Sequence, residues 1–185
     1  MTGHHAEDVL ARSARGDAAA FEQIVREHQG MVFSLAYHFC GDPSAAEELA
    51  QDVFFQLYRN LRAIKSPAHL TFWLRKVTAH RSIDRARRRR HDLLLGPPLS
   101  LEDVPEPMAP MPLPEVALAG KVRRLVQALP AKRRMVVVLR YQEELELHEI
   151  AEIMEMPINT VKSCLERSLA ILRAKLTRCF GDVHA

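Results

Sequence analysis

Phe72 and Trp73 stand directly ahead of Arg75, Lys76, His80 and Arg81 in TFWLRKVTAHRSIDRARRRR. Aromatic faces interleaved with cations suit unstacked nucleic-acid bases: rings stack on the bases, and guanidinium and ammonium groups hold the phosphates. Trp73 would serve equally as the anchor of a small helical core, and the two roles are compatible, since one indole face packs while the edge lines a pocket. His80 and Asp84, spaced i, i+4, could form an acid–base couple or a structural ion pair. No second carboxylate lies near them in sequence, which favours the ion pair.

A second group of chemistry-bearing residues lies in MEMPINTVKSCLERS, residues 154–168. It reads as a helix end, a turn at Pro157 and the start of another helix, the pattern of a helix-turn-helix whose second helix fits the major groove. Generic helical hairpins share the pattern. The stretch is also poor in cations, with Cys164 and Glu166 standing between Lys162 and Arg167.

Enzymatic alternatives fall away on residue types. HEIAE at 148–152 begins like the zinc signature HExxH, but position 152 is Glu, so the second imidazole is missing. No phosphate-cradling GxxxxGK occurs, and no glycine at all lies between Gly120 and Gly181. Neither catalysis nor a cofactor is expected. Cys40, Cys164 and Cys179 are odd in number, far apart and without CxxC spacing, so they read as reduced thiols near packed faces.

These residues must be positioned by helices. Asp42-Pro43 and the overlapping box Ser44-Ala45-Ala46-Glu47 both announce a helix over about 44–61 through AEELAQDVFFQLYRNL. Upstream, Phe21, Ile24, Val25, His28, Val32, Leu35, Ala36 and Phe39 recur at threes and fours and predict a helix ending at Gly41. Pro67 opens a third, with Leu70, Leu74 and Val77 on one side. Beyond the prolines of 97–114, EVALAGKVRRLVQAL is helical and Pro130 restarts a helix through AKRRMVVVLRYQ. Met135–Tyr141 is β-branched enough for a strand, yet no partner strand is available. In the last helix Val161, Leu165, Leu169 (or Ser168) and Leu172 should face a core.

The expected fold is therefore all-α: two small helical domains, 1–91 and 117–185, joined by a Pro-rich acidic linker over 92–116, the second domain carrying a helix-turn-helix. Seven of the eleven prolines fall in that linker, which predicts an extended segment. No apolar run approaches membrane-spanning length and the first residues lack a secretion signal, so a cytoplasmic protein without membrane insertion is expected.

The net charge of +3 hides segregation. Residues 61–91 hold ten Lys and Arg against one Asp, while residues 1–60 are net −5 and 92–116 net −5. A concentrated basic block points to a polyanion partner; a solvated helix face would have the same composition.

In this order and separation, FEQIVREH, AEELAQDVFFQLYRNL, TFWLRKVTAHRSIDRARRRR, LPAKRRMVVVLRY and EIAEIMEMPINTVKSCLERS resemble the bacterial RNA polymerase sigma factors of the extracytoplasmic-function class, which keep only regions two and four. The resemblance implies a subunit that binds core RNA polymerase and directs promoter recognition, melting and initiation. It implies docking of Glu48, Gln51, Asp52 and Tyr58 on the largest polymerase subunit, and of the first C-terminal helices on the flap of the second largest. The loop IKSPAHLTF, with Lys65, His69 and Phe72, would pocket a base flipped from the minus-10 element. Trp73, Lys76, His80 and Arg81 would read that element, with Arg87 and Arg88 on neighbouring phosphates. Melting would need no ATP, because stacking worth roughly 1–3 kcal/mol per base offsets a lost base-pair step.

By the same resemblance Thr160, Lys162, Ser163, Glu166 and Arg167 would read the minus-35 element. An anti-sigma partner wedged between the two units would hold such a factor inactive, and at the membrane if it is anchored there. Departures from the family pattern are His80 in place of a frequent Asn, Glu155 at a turn position usually Gly, Cys164 for Arg, and Leu169 at a frequently basic position. Two other readings remain: a sigma-like protein that binds polymerase or an anti-sigma factor without initiating, and a conventional helix-turn-helix repressor that binds duplex DNA unaided.

Overall fold

Asp42 lies in extended conformation and its carboxylate accepts from the Ala45 N–H at 3.0 Å, with Pro43 at the first helical position. Of the two overlapping start signals, the Asp-Pro pair is the one used. Asp17 caps the preceding helix in the same way, accepting from Ala19 and Ala20. That helix ends at Gly41, whose left-handed φ of 76° closes a bond to the Tyr37 carbonyl.

The computed structural model describes residues 3–95 and 114–181, with side chains over 5–89 and 120–177. In chain order they form α1 (Gly3–Ala14), α2 (Ala18–Cys40), α3 (Pro43–Asn60), a 3₁₀ turn (Leu61–Ala63), α4 (Pro67–Leu95), α5 (Pro114–Gln127), α6 (Ala131–Tyr141), α7 (Leu147–Met154) and α8 (Ile158–Gly181). All are helical, including the β-branched Met135–Tyr141 stretch. Helix α1 went unread in the sequence; it packs Val9 and Leu10 into the first core. The linker expectation falls largely outside the described residues, although α4 runs on to Leu95 and α5 already begins at Pro114.

Two large apolar clusters and a small one of Ala36, Ala46 and Leu49 organise the described residues. One joins α1–α4 through residues such as Ile24, Val32, Val53, Leu57 and Leu74. The other is shared across the chain: Leu35 and Phe39 of α2 and Ala79 and Ile83 of α4 pack with Met135, Leu139 and Ile153 of the C-terminal unit. All but Ile83 of these seven are almost fully buried. The seam is close at Gly41, where an added Cβ would stand 1.7 Å from Nε2 of Gln127. The left-handed φ is what calls for glycine there, since the Gln127 amide is the far end of a flexible side chain and can swing aside.

In α8 the inward positions are Val161, Leu165 and Ser168, with Leu169 and Leu172 half-buried. Ser168 tolerates full burial because its hydroxyl donates to the Cys164 carbonyl at 2.6 Å.

Candidate nucleic-acid interface

Helix α4 is launched by Ser66, whose Oγ accepts from the His69 N–H at 3.1 Å, while Nδ1 of His69 accepts from the Lys65 N–H at 3.1 Å. This fixes the entry of the chain, and the aromatic and basic residues then follow on one side of the helix. His69, Phe72, Trp73, Lys76, His80 and Arg81 together line a recess of about 350 Å³, floored by Gln56 of α3. Trp73 is half-buried and also packs on the first core, so its two roles coexist. Arg81 is held by two bonds to Oε1 of Gln56, at 3.1 and 3.0 Å. Gln56 was missed in the sequence; its position one turn after Asp52 was the available signal.

Lys65 is exposed at the mouth of the loop, and Arg87 and Arg88 are exposed further along α4. They do not join the recess. Asp84 lines it, but no ion pair links Asp84 to His80 among the described residues. Instead Nε2 of His80 donates to the carbonyl of Ile153 at 2.9 Å. The i, i+4 pairing suggested by spacing is therefore replaced by a contact from the other unit. Lys76 likewise reaches Oε1 of Glu155, 2.6 Å away, and Arg75 donates to Oε2 of Glu143 at 3.2 Å.

Glu155 ends α7 with φ 52° and ψ 47°, its N–H directed at the Ala151 and Glu152 carbonyls. A side chain in this left-handed conformation costs on the order of 1 kcal/mol relative to glycine. The neighbouring Lys76 ammonium, through its hydrogen bond and charge and with His80 adding to the field, lowers the Glu155 pKa below the ordinary carboxylate value. Beyond the turn, Thr160, Lys162, Glu166 and Arg167 are exposed on α8 and Ser163 is half-buried. They share one outward stretch of the helix, opposite Val161 and Leu165.

On α3, Glu48, Gln51, Asp52 and Tyr58 are all exposed. Phe55, 63% exposed, belongs to the same face and was missed; it lies at the helical spacing between Asp52 and Tyr58. Tyr58 sets its ring edge-on to Phe21 with centroids 5.2 Å apart, and Glu48 is bonded to Arg85 of α4. Next to this face a largely apolar groove of about 720 Å³ runs between α2 and α3 past Val25, Phe33 and Phe54.

Residues 24–91 match the family Sigma-70 region 2, and residues 119–172 match Sigma-70, region 4. The ECF RNA polymerase sigma factor SigW of Bacillus subtilis (strain 168) is 32% identical over 171 residues, covering 88% of this chain and 91% of SigW. The chain belongs to the extracytoplasmic-function sigma factors. It accordingly directs transcription initiation with RNA polymerase and is not an enzyme. This sigma factor shares its fold with CnrH, solved in complex with the cytosolic domain of CnrY (TM-score 0.66, 21% identity, 97% of this chain and 99% of that one). It shares it also with the sigma factor RpoE of Bartonella quintana, solved with the anti-sigma factor NepR (TM-score 0.66, 19% identity, 85% and 96% covered). Among the described residues of the sigma factor, no helix is long and apolar enough to cross a membrane, and no three His, Cys, Asp or Glu stand together as a metal site.

Proposed function

We propose that residues 1–91 dock on the largest polymerase subunit and read and melt the minus-10 element, that 92–116 connect the units, and that 117–185 dock on the second-largest subunit and read the minus-35 element. The observation that carries this division is the α4 recess, where Phe72, Trp73, Lys76, His80 and Arg81 converge. Two aromatic faces and a rim of cations suit a base lifted out of the duplex, because every base has a stackable face and its phosphate needs a cation. His69 lines the recess, Lys65 on the loop ahead of it meets the strand outside, and Arg87 and Arg88 hold duplex phosphates without reading sequence.

The α3 face of Glu48, Gln51, Asp52 and Tyr58 makes the polymerase contact. Its acidity keeps it from competing for DNA, and the exposed rings of Phe55 and Tyr58 supply apolar area of the kind that anchors interfaces. On α8, Lys162 and Arg167 hold backbone, while Thr160, Ser163 and Glu166 meet base edges. The Bartonella RpoE complex with NepR motivates an anti-sigma factor as a further partner for this chain.

Run-off transcription with purified core polymerase tests the recess. Trp73→Ala should lower open-complex formation on duplex templates by several-fold to about a hundred-fold, the equivalent of roughly 1–3 kcal/mol of lost stacking. A template premelted at the minus-10 element should restore most of that activity. Equal loss on both templates would mean that Trp73 serves the fold and not the strand.

A further inference from the structure

Two donors at the seam between α4 and α6 are buried without a protein partner: the hydroxyl of Ser82 and Nε of Arg134. Ser82 is wholly buried on α4, and the other nitrogens of Arg134 are spent on the carbonyls of Phe39 and Leu129. Both residues line one pocket of about 230 Å³, walled by the end of α2, by α4 and by α6. Arg85 and Arg89 line it too. With Ser82 they follow at threes and fours along a single stripe of α4, so one helix face presents all three.

The pocket has more positive charge than its surroundings answer. Of its three guanidiniums, only Arg85 has a carboxylate, Glu48 of α3; Arg89 and Arg134 form no ion pair among the described residues. Asp42, the other carboxylate whose charge reaches Cys40 in the pocket wall, is spent on the α3 cap, accepting from the Ala45 N–H. The Cys40 thiol does not supply the missing charge either. Burial pushes its pKa up, and Arg85, Arg89 and Arg134 offset that only in part. A cation shielded from water and a buried donor left unmade are both costly unless a partner meets them, and here one partner could serve both.

We propose that this pocket is a binding site for a phosphate group, either free or carried on a small organic body such as a sugar. Phosphate oxygens take charge-assisted bonds from guanidiniums, and a further oxygen accepts from a hydroxyl. Phe39 and Ala86 give the same pocket an apolar side against which an organic body can lie. A recess walled by three helices suits a small molecule, whereas a duplex backbone needs open cations such as Arg87 and Arg88, which are exposed on α4. None of the pocket residues belongs to the sets assigned above to promoter or polymerase, so the site stands apart from both. Because α2, α4 and α6 all contribute, a bound phosphate would cross-link the two units and stabilise the folded chain by mass action.

Isothermal titration calorimetry and thermal unfolding of the full chain test this without DNA or polymerase, so the outcome is independent of the promoter reading. Inorganic phosphate and ribose 5-phosphate are titrated separately, in sodium chloride at about 0.15 M to screen exposed charges. At least one should bind saturably at one site per chain and raise the unfolding temperature. Tighter binding of ribose 5-phosphate would identify a ligand with an organic body, and equal binding a bare phosphate group. Arg89→Gln should weaken binding about ten-fold, the loss of one charge-assisted bond, and Ser82→Ala about five-fold. Neither should lower the unfolding temperature of the ligand-free chain, since Arg89 is exposed and the Ser82 hydroxyl has no bond to lose. Absence of saturable binding through the millimolar range would overturn the proposal and leave the two donors to water. Unchanged affinity in either variant would also overturn it, placing the phosphate elsewhere on the basic face of α4.

Discussion

The guanidinium carbon of Arg134 lies 4.9 Å from the centroid of the Phe39 ring, and its Nη1 donates to the Phe39 carbonyl at 3.0 Å. A second bond reaches the Leu129 carbonyl at 3.2 Å, and Nε is buried without a protein partner. Arg134 thus ties α6 to the end of α2 without any carboxylate, and burial lowers its pKa below the ordinary arginine value. Arg134→Ala should destabilise the chain by about 1–3 kcal/mol, from lost bonds to two carbonyls and a lost ring contact. Arg134→Lys should fall between, because one ammonium cannot reproduce the fork. Urea denaturation of the three proteins checks this, and a loss under about 0.5 kcal/mol for the alanine variant would place it among ordinary surface substitutions.

The α3 start separates two signals that overlap in sequence. Asp42 supplies the observed cap bond to Ala45. Asp42→Ala should therefore cost about 1 kcal/mol, whereas Ser44→Ala, inside the helix, should cost almost nothing. Thermal unfolding of the two variants decides it, and a larger loss at Ser44 would assign the cap to the other signal.

Local rules made most of the helices legible: Gly41, the Asp42-Pro43 pair and Pro130 each stand at the helix boundary expected of them. The residues of the recess were legible too, because Phe72, Trp73, Lys76, His80 and Arg81 lie within three turns of one helix. What escaped was set by distant partners. Leu35 and Phe39 have the spacing of any buried helix face, and nothing local says that they meet Met135 rather than α3. Glu155 could be read only as a departure, since the partner that accounts for it, Lys76, lies on another helix across the linker. Helix α1 is short, and its apolar positions, Val9 and Leu10, are too few to set a period.

Packing of the C-terminal unit on α4 should depend on pH through Glu155. Its folded pKa is depressed below the ordinary value of 4.5, first by the hydrogen bond from Lys76 and then by the charges of Lys76 and His80. A depressed carboxylate contributes stability that is fully present above its unfolded pKa and is lost as pH falls through the folded one. The difference between wild type and Glu155→Gln in scattering dimensions should therefore be present at neutral pH, shrink as pH falls below about 4.5 and vanish once it has passed the depressed folded value. A difference that persisted with the carboxylate protonated would show that shape, not charge, holds the turn on α4.

On α8 the two charges flanking Cys164 should behave differently. Lys162 and Glu166 are both exposed on the outward stretch of the helix. An ammonium on a phosphate carries no sequence information, so Lys162→Ala should weaken all minus-35 sequences alike and reduce the salt slope by about one. A carboxylate accepts from the amino group of cytosine, so Glu166→Ala should cost about 1–3 kcal/mol only on sequences that place a cytosine there, and flatten preference at that base pair. Run-off transcription over a template library randomised in the upstream element, read by sequencing, measures both effects at once. Cys164 leaves Lys162 and Arg167 as the cations beside Glu166 on this stretch; on the proposed reading the basic block of α4 and the polymerase would carry the electrostatic share of binding, and the α8 residues would discriminate. Uniform loss with Glu166→Ala and a changed preference with Lys162→Ala would exchange the two roles.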